Sequence, residues 1–360
     1  MSSEDVVQSQ LSNTICKDKM NTFFPVEDYL EKERIVIVSP DYIEVLGTDR
    51  FGDTNSKLGK EFLEYRKNWK AYPEKKFVAE FPLHLDIECT NTCNLRCLMC
   101  QIPFNKMNPG FMKIGLLDKI LNEIRENNFS LPSVKFNFRG EPLMHPRIAD
   151  LVKKSKEAGV LEVQFNTNGA LLQEELIYNL INAGLVRIKF SVDAVIPEIY
   201  NAIRKGANFE ETISKILKFI EIRNKLDKDF PIIQVQMVYM ASTHKYVKDY
   251  IKFWEDKVNR IGFSRYRSDH NIIDEAGKIK ELSKKRIPCH QLWQRLVITW
   301  DGIVLMCCGD HQLKNPVGNL QNQTLSEIWK GEKMNKMRSL HSKFQFDSIE
   351  ACKECQVNYL

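Results

Sequence analysis

The sequence contains no long apolar run, no clustered basic stripe, no internal repeat and no low-complexity segment. The absence of an apolar run of about 20 residues excludes an ordinary membrane-spanning helix. The first ten residues, MSSEDVVQSQ, lack the basic-then-apolar pattern of a signal peptide. A net charge of +5 without a basic cluster does not indicate nucleic-acid binding. We therefore expect a cytoplasmic protein that binds neither a membrane nor nucleic acid.

Cysteine, in contrast, is abundant and unevenly distributed. Nine of the ten cysteines fall in residues 89–100, 289–308 and 352–355, and Cys16 stands apart. Disulfide frameworks spread their cysteines more evenly, and they belong to oxidising compartments. Hydrophobic residues make up 43% of the chain, which is enough for a large core without disulfide support. The cysteines therefore indicate metal binding.

The first cysteine group has a specific spacing. Cys93, Cys97 and Cys100 form a C-x3-C-x2-C pattern directly after an apolar-alternating strand at 83–88. A [4Fe–4S] cluster normally takes four cysteines, so three ligands leave one iron open. An open coordination position distinguishes a reactive metal site from a closed structural one. From the residues alone, a zinc site with Cys89 as its fourth ligand remains an alternative.

The C-x3-C-x2-C pattern and its surroundings resemble the radical S-adenosylmethionine (SAM) superfamily. The resemblance implies a [4Fe–4S] cluster held by these three cysteines, with SAM bound at the open iron. It also implies reductive cleavage of SAM to a 5′-deoxyadenosyl radical that abstracts hydrogen from a substrate. An electron donor such as flavodoxin or ferredoxin is then an expected partner.

Strand and helix patterns alternate from residue 79 to 270 in about six β/α units. Such a series predicts parallel strands, right-handed crossovers and a site at the carboxyl ends of the strands. Six units are too few to close an eight-stranded barrel, and the resemblance implies an α/β fold with a partial (βα)6 TIM-like barrel. Residues 271–360 are predicted to form a small α+β domain, and residues 1–78 an N-terminal extension of unknown role.

One strand after the cysteines stands Arg139-Gly140-Glu141-Pro142, which resembles the G-G-E-P motif of the superfamily with arginine in place of the first glycine. The resemblance implies that Gly140, Glu141 and Pro142 bind the amino group of SAM through backbone carbonyls and the carboxylate. Glycine permits a close backbone approach and proline fixes the turn. The alternative is an ordinary strand-to-helix turn.

Other candidates for SAM binding are implied by analogy with the family. Asn168 follows the third strand of the series, and Ser191 and Asp193 follow the fourth, where short polar side chains suit ribose hydroxyls but also serve as helix caps and turns. Arg204 stands where the family often places an arginine for the carboxylate of SAM. Met99 precedes Cys100, where a thioether can pack against adenine.

The C-terminal cysteines form a second pattern. Cys289, Gly302 and Cys307 match the C-x9-15-G-x4-C spacing of the SPASM/twitch auxiliary-cluster domains, and Cys352 and Cys355 follow. The resemblance implies one auxiliary [4Fe–4S] cluster in a twitch/SPASM-like domain, since four cysteines close one cluster. Two alternatives stay open: Cys308 replaces Cys307 as a ligand, or the four cysteines hold structural zinc.

A second cluster suits a reaction in which the substrate radical loses another electron. The sequence SRYRSDH at the tip of the sixth strand offers candidates to bind or deprotonate a polar substrate, namely Arg265, Arg267, Asp269 and His270, although a charged linker is an equal alternative. If hydrogen must instead be returned on the opposite face, a thiol is needed. Cys308 and Cys89 are the thiol candidates for such an epimerase.

The leading hypothesis is thus a radical SAM oxidoreductase or epimerase that acts on a small polar molecule, such as a sugar or cyclitol derivative. The alternatives are a peptide-modifying maturase, a nucleotide cyclase and a zinc-stabilised binding protein without enzymatic activity.

Overall fold

The computed structural model describes residues 35–39, 42–46, 57–102, 107–268, 271–273, 286–353 and 355. Its strands are β1 (Ile35–Ser39), β2 (Tyr42–Leu46), β3 (His84–Ile87), β4 (Ser133–Lys135), β5 (Glu162–Thr167), β6 (Arg187–Ser191), β7 (Ile232–Tyr239), β8 (Arg260–Ser268), β9 (Asn271–Ile273), β10 (Arg295–Ile298), β11 (Ile303–Leu305) and β12 (Pro316–Asn319). Its α-helices are α1 (Gly59–Lys75), α2 (Ile114–Glu126), α3 (Ile148–Glu157), α4 (Glu174–Asn182), α5 (Pro197–Ile203), α6 (Phe209–Lys225), α7 (Val247–Trp254), α8 (Leu325–Lys330) and α9 (Glu332–Ser342). Within these ranges, no helix is both long and apolar enough to cross a bilayer.

The described strands form one sheet in the order β1-β2-β8-β7-β6-β5-β4-β3-β10-β11-β12, and β9 pairs with β8. The six strands β3 to β8 are neighbours in chain order and pair in parallel throughout. The path ends at β1 and β12, so the sheet does not close on itself. The predicted α/β fold with a partial (βα)6 barrel is confirmed.

The parallel strands have two chemically different faces. On β5 and β6, the side chains of Val163, Phe165, Ile188 and Phe190 are all buried in the hydrophobic core beneath the helices. Successive side chains of a strand point to opposite faces, so the residues between them line the inside of the curved sheet. Those residues are polar or charged on β3 to β6, among them Asp86, Lys135, Glu162 and Arg187, which gives the barrel a charged interior.

The N-terminal segment is integrated into this sheet. Strand β2 pairs antiparallel with β8 and extends the sheet beyond the parallel series. The ring of Trp69, on α1, lies edge-on to that of His84 at 5.8 Å between centroids, and the Trp69 carbonyl accepts a bond of 2.6 Å from Gln294 Nε2. Because His84 begins β3 and Gln294 directly precedes β10, helix α1 packs on the amino ends of these two strands. The sequence had suggested only an extension without an assigned role.

The C-terminal region continues the other edge. Strand β10 pairs in parallel with β3. The β10–β11 hairpin turns at Gly302 with φ of 94°, and the Asp301-Gly302 pair predicts such a hairpin turn from the sequence. Both carboxylate oxygens of Glu123, on α2, accept bonds of 2.7 and 2.8 Å from the backbone N–H groups of Leu325 and Ser326. A carboxylate at a helix N-terminus is stabilising, and this one docks α8 onto the barrel. Strand β12, helix α9 and the junction with β3 were absent from the sequence prediction.

Candidate active site: two groups of cysteines

The first cysteine group lies in the loop after β3. The backbone N–H of Arg96 donates to the carbonyl of Lys205 and that of Leu98 to the carbonyl of Ile203, both at 2.9 Å. These bonds fasten the loop to the segment that follows α5. Cys93 and Cys97 are half-buried and Cys100 is exposed, and all three are free thiols. The loop therefore presents its three sulfurs from a fixed backbone towards an accessible space.

The chemistry of these thiols suits a metal. Burial raises the pKa of the Cys93 thiol to about 11, and the neighbouring Cys97 and Cys100 sulfurs add to the effect by repulsion. Burial also raises the pKa values of Cys97 and Cys100. Three thiolates so close together need a bound cation to be stable, which iron would supply. Cys89 is 1% exposed and packs in the hydrophobic core, so its side chain is separate from this donor set.

The turn after β4 packs on the cysteine loop. A Cβ on Gly140 would clash with the backbone oxygens of Thr90 and Thr92, so glycine is required there by close approach. The next backbone N–H, of Glu141, donates to Thr92 O at 2.7 Å. The Arg-Gly-Glu-Pro turn thus fixes the loop that carries the three thiols.

The Glu141 side chain faces inward and orders the neighbouring turn. Its carboxylate accepts bonds from Thr167 Oγ1 at 2.6 Å, from the Asn168 N–H at 2.8 Å and from the Leu143 N–H at 3.0 Å. Burial nevertheless raises the pKa of Glu141. Asn168 in turn donates from Nδ2 to Asn94 Oδ1 at 2.9 Å, next to Cys93. Four candidates of the sequence, Gly140, Glu141, Pro142 and Asn168, are therefore brought together with the cysteine loop, and their contact with SAM stays a prediction.

The arginine that replaces the family glycine has a partner of its own. Arg139 Nε and Nη2 donate to the two Glu88 oxygens at 2.7 and 2.9 Å, and both side chains are buried. Glu88 also accepts a bond of 3.2 Å from the backbone N–H of Trp300, at the tip of the β10–β11 hairpin. The bidentate pair therefore joins the barrel to the C-terminal hairpin.

A second buried ion pair lies against the loop. Arg204 Nη2 is 2.7 Å from Asp193 Oδ2, and Arg204 Nη1 donates to Cys97 Sγ at 3.8 Å. The other Asp193 oxygen accepts a bond of 2.9 Å from the Val238 N–H. Arg204 and Asp193 thus lie against the cysteine loop and contact each other; the contacts of both residues with SAM stay a prediction. Ser191, at the end of β6, and Met99, beside Cys100, are both half-buried.

The second cysteine group encloses a cavity of about 160 Å³. Gln101 lines this cavity and directly follows Cys100, so the two groups are adjacent. The remaining lining residues come from the C-terminal region and include all five of its cysteines: Cys289, Gln291, Leu292, Met306, Cys307, Cys308, Gly309, His311, His341, Ala351, Cys352 and Cys355. Four sulfurs are enough for a cluster, so the donor set fits an auxiliary cluster with one thiol to spare.

The adjacent Cys307 and Cys308 differ in their partners. Cys307 Sγ accepts a bond of 3.2 Å from the Gly309 N–H, and Cys308 Sγ donates to Gln291 Oε1 at 3.4 Å. A hydrogen bond between the two thiols lowers the pKa of Cys308 and raises that of Cys307, and Arg295 adds to the effect on Cys308. Both line the cavity, so the choice of ligand between them stays a prediction.

A histidine that the sequence did not single out completes this cavity. His341 Nδ1 accepts a bond of 3.1 Å from the Cys289 N–H, and its Nε2 is 3.4 Å from Cys352 Sγ. Burial lowers the pKa of His341 to about 4, so the ring is neutral at pH 7. Because Nδ1 accepts, the single proton must be on Nε2 and point at the sulfur. Only the fold brings α9 to these cysteines, so no local pattern marked His341.

Arg265 and Arg267 are the two arginines predicted to bind the substrate. Arg265 is buried opposite Tyr239 and shares a strand face with Phe263 in the core. The other face carries Ser264, whose Oγ accepts a bond of 2.9 Å from Gln236 Nε2 in the barrel interior. Arg265 is therefore not brought to the interior. The side chain of Arg267 and residues 269–270 lie outside the described part of the chain, as does Cys16.

Comparison with known proteins gives two domain matches. A family model described as the Radical SAM superfamily matches residues 87–253, and the SPASM model, described as an iron–sulfur cluster-binding domain, matches residues 289–356. A tungsten-containing aldehyde ferredoxin oxidoreductase cofactor-modifying protein of Pyrococcus furiosus is 26% identical over 311 residues, 75% of this chain and 86% of that protein. A probable GTP 3′,8-cyclase of Methanocaldococcus jannaschii is 29% identical over 231 residues, 61% of this chain and 73% of that protein.

Among solved structures, that of BtrN in complex with AdoMet and 2-DOIA superposes with a TM-score of 0.52. The superposition covers 77% of this chain and 93% of BtrN at 18% identity, and it therefore indicates a shared fold.

Proposed function

Because this chain belongs to the radical SAM superfamily and carries a SPASM iron–sulfur domain, we propose that it oxidises a small polar substrate by hydrogen abstraction. The two domains imply a SAM-binding [4Fe–4S] cluster, an auxiliary iron–sulfur cluster and SAM as cofactors. When bound, the first cluster supplies the electron that splits SAM, and the auxiliary cluster can accept an electron from the substrate radical. Cys93, Cys97 and Cys100 would hold the first cluster. Four C-terminal cysteines, Cys289, Cys307, Cys352 and Cys355, would hold the second.

The observation that carries the proposal is the adjacency of the two cysteine groups. Gln101 belongs to the wall of the C-terminal cavity and follows the last cysteine of the loop. The Glu88–Arg139 pair and its bond to Trp300 also join the barrel to the C-terminal region. An electron acceptor next to the radical-generating site is useful when the substrate must lose a second electron after losing a hydrogen atom. The name of the Pyrococcus relative, a cofactor-modifying protein, supports a small molecule as the substrate class.

The chain's own residues would organise the site around the loop. Glu141 would hold the loop through the bond from its backbone N–H to Thr92 O, and the 167–168 turn through the bonds that its carboxylate accepts from Thr167 and Asn168. Arg204, held in place by Asp193, would point a charged N–H group at Cys97 and so favour its thiolate. Met99, Ser191 and the backbone at Gly140 would face SAM, as the family resemblance implies.

Epimerisation is the second candidate, and a specific observation favours it. Five cysteines line the cavity although four can hold a cluster, so one thiol, Cys308 or Cys307, is available as a hydrogen donor. Of the two thiols considered from the sequence, Cys89 is enclosed in the core, whereas Cys308 is half-buried at the cavity.

The test begins with SAM cleavage. Anaerobically reconstituted protein should form 5′-deoxyadenosine from SAM and dithionite, whereas a Cys97→Ala variant should not. Product formation at the normal rate in that variant would remove the assignment. A Cys89→Ala variant is the matched control, because its thiol lies in the core. Once a substrate is found, net oxidation would favour the dehydrogenase, and solvent deuterium at a substrate carbon would favour the epimerase.

A further inference from the structure

The barrel lumen, defined here as the space lined by the polar faces of β2 to β8 and β10, contains an unusual number of charges. Three arginines there each face one carboxylate on a neighbouring strand. The pairs are Arg260 with Glu44 at 2.6 Å, Arg187 with Glu162 at 3.1 Å and Arg295 with Asp86 at 3.0 Å. These six groups neutralise one another, so any further charge in the lumen is in excess.

Two lysines supply such an excess. Lys135 ends β4 and Lys189 lies on β6, and both face the lumen by strand alternation. Within the described residues, Lys135 has no hydrogen bond or ion pair, and Lys189 donates only to the Tyr42 hydroxyl at 2.8 Å. Burial lowers the pKa of both ammonium groups, that of Lys189 to about 7. Asp86 and Glu162 attract Lys135, and Glu44 attracts Lys189, but each of these carboxylates is already the ion-pair partner of an arginine.

The two ammonium groups belong to one electrostatic environment. Lys135 is among the charges that lower the pKa of Lys189. Lys135 also acts, together with Arg295, on the Cys308 thiol at the wall of the C-terminal cavity. Both lysines are half-buried, so their ammonium groups lie in a partly desolvated lumen.

Unpaired ammonium groups in such a space are costly. Removing a cation from water without an anion or sufficient hydrogen bonds is unfavourable, and two neighbouring cations repel each other as well. A lysine retained only for folding would have an acidic partner, as the three arginines do. Groups with perturbed pKa values and no carboxylate of their own are more typical of ligand sites.

We propose that Lys135 and Lys189 together bind an anionic group of the substrate, a carboxylate or a phosphate, inside the barrel lumen. This deepens the proposed function and rests on it, because it assigns the substrate of the same site to the class of small anions. The bound anion would neutralise the excess charge and hold the substrate between the cysteine loop and the auxiliary cavity.

The test uses the reconstituted full-length protein and two probe anions, inorganic phosphate and malonate, at constant ionic strength. Thermal unfolding is followed for the wild type, Lys135→Met, Lys189→Met and the double variant. Methionine keeps the apolar stem without the charge. Lys67→Met is the matched control, because Lys67 is exposed on α1. Ligands that bind only the folded state raise Tm with concentration.

At least one probe should raise Tm saturably in the wild type and in Lys67→Met, and this increase should be lost in the double variant. A response to phosphate alone would indicate a phosphate group, and a response to malonate alone a carboxylate. Without either probe, the methionine variants should be as stable as the wild type or more stable, because an uncompensated charge is removed.

Equal responses of the wild type and the double variant to both probes would overturn the inference, as would loss of stability in the lysine variants without any probe. The result is separable from the proposed function, which is tested by 5′-deoxyadenosine formation in the wild type. Cleavage of SAM without any lysine-dependent anion effect would reject only the anion site. An anion effect without cleavage of SAM would reject the radical chemistry.

Discussion

The two cysteine groups differ in exposure and in what holds them. The thiols of the loop after β3 are half-buried or exposed, and backbone bonds from other segments fix their positions. In the C-terminal cavity, Cys289, Cys352 and Cys355 are buried, and side chains such as His341 contact the sulfurs directly. Three accessible ligands leave room for a further molecule at the metal, whereas an enclosed set of four or five does not. The same residue type thus suits a reactive site in one region and an electron-storage site in the other.

The largest effects are expected when one cysteine is removed from each of the two cysteine groups. Cys97→Ala should abolish the formation of 5′-deoxyadenosine, because the first cluster loses a ligand. Cys352→Ala should instead lose about half of roughly eight irons per chain, since each cube holds four. Iron quantification and electron paramagnetic resonance with and without SAM would measure both. If Cys352→Ala abolished the SAM-induced change in the spectrum, the division of roles would be wrong.

The next effect concerns the Glu88–Arg139 ion pair, which joins the barrel to the C-terminal hairpin. Arg139→Met leaves the Glu88 carboxylate buried without its partner, and we expect a loss of about 3–5 kcal/mol in unfolding free energy. Chemical denaturation would measure the loss. The double variant Glu88→Gln/Arg139→Met should lose less, because no uncompensated charge remains. An equal loss in both variants would show that packing, rather than the ion pair, joins the hairpin to the barrel.

A smaller effect tests the backbone support of the loop. Gly140→Ala places a Cβ against the carbonyls of Thr90 and Thr92, and we expect a cost of about 1–3 kcal/mol with reduced iron in the first site. Gly115→Ala is the matched control, since a Cβ there has no atom within 4 Å and alanine favours helix α2. Similar stability and iron content in the two variants would contradict the required close approach.

The smallest effect sharpens the description of the cavity. His341→Phe removes the Nε2–H that points at Cys352 Sγ, and a hydrogen bond to sulfur favours the more negative, reduced cluster. We expect the reduction equilibrium of the auxiliary cluster to fall about tenfold, equivalent to about 59 mV for one electron. His341→Gln, which keeps an N–H donor, should recover part of the shift in a redox titration. An unchanged potential in His341→Phe would show that the proton does not reach the sulfur.

Much of the fold followed from local patterns. The sequence predicts a helix over Glu174–Asn182 and a strand over Arg187–Ser191, and α4 and β6 have these bounds, because their apolar residues recur at helical and strand spacing. The Asp-Gly turn at Gly302 and the helix at Leu325–Lys330 were likewise set by local residues. Strand β12 and helix α9 were missed, because their few apolar residues give no clear periodicity and their stability comes from packing.

The candidate site was likewise predictable only in part. The spacing of Cys93, Cys97 and Cys100 and of the C-terminal cysteines is a property of the chain, and together with the motif at residues 139–142 it pointed to the superfamily. The partner of Arg139 could not be predicted, since Glu88 is 51 residues away and only strand pairing brings the two together. The same holds for Arg265, whose strand face depends on the register of β8.

The sequence by itself determined the order of strands and helices and the two sets of metal-binding thiols, because both depend on residues close together in the chain. Only the tertiary structure decided which charges meet. The His341 tautomer, the Arg204–Asp193 pair and the two uncompensated lysines of the lumen all depend on contacts between distant segments. Electrostatic and hydrogen-bond energies fall steeply with distance and depend on burial, and both quantities exist only after the sheet has folded.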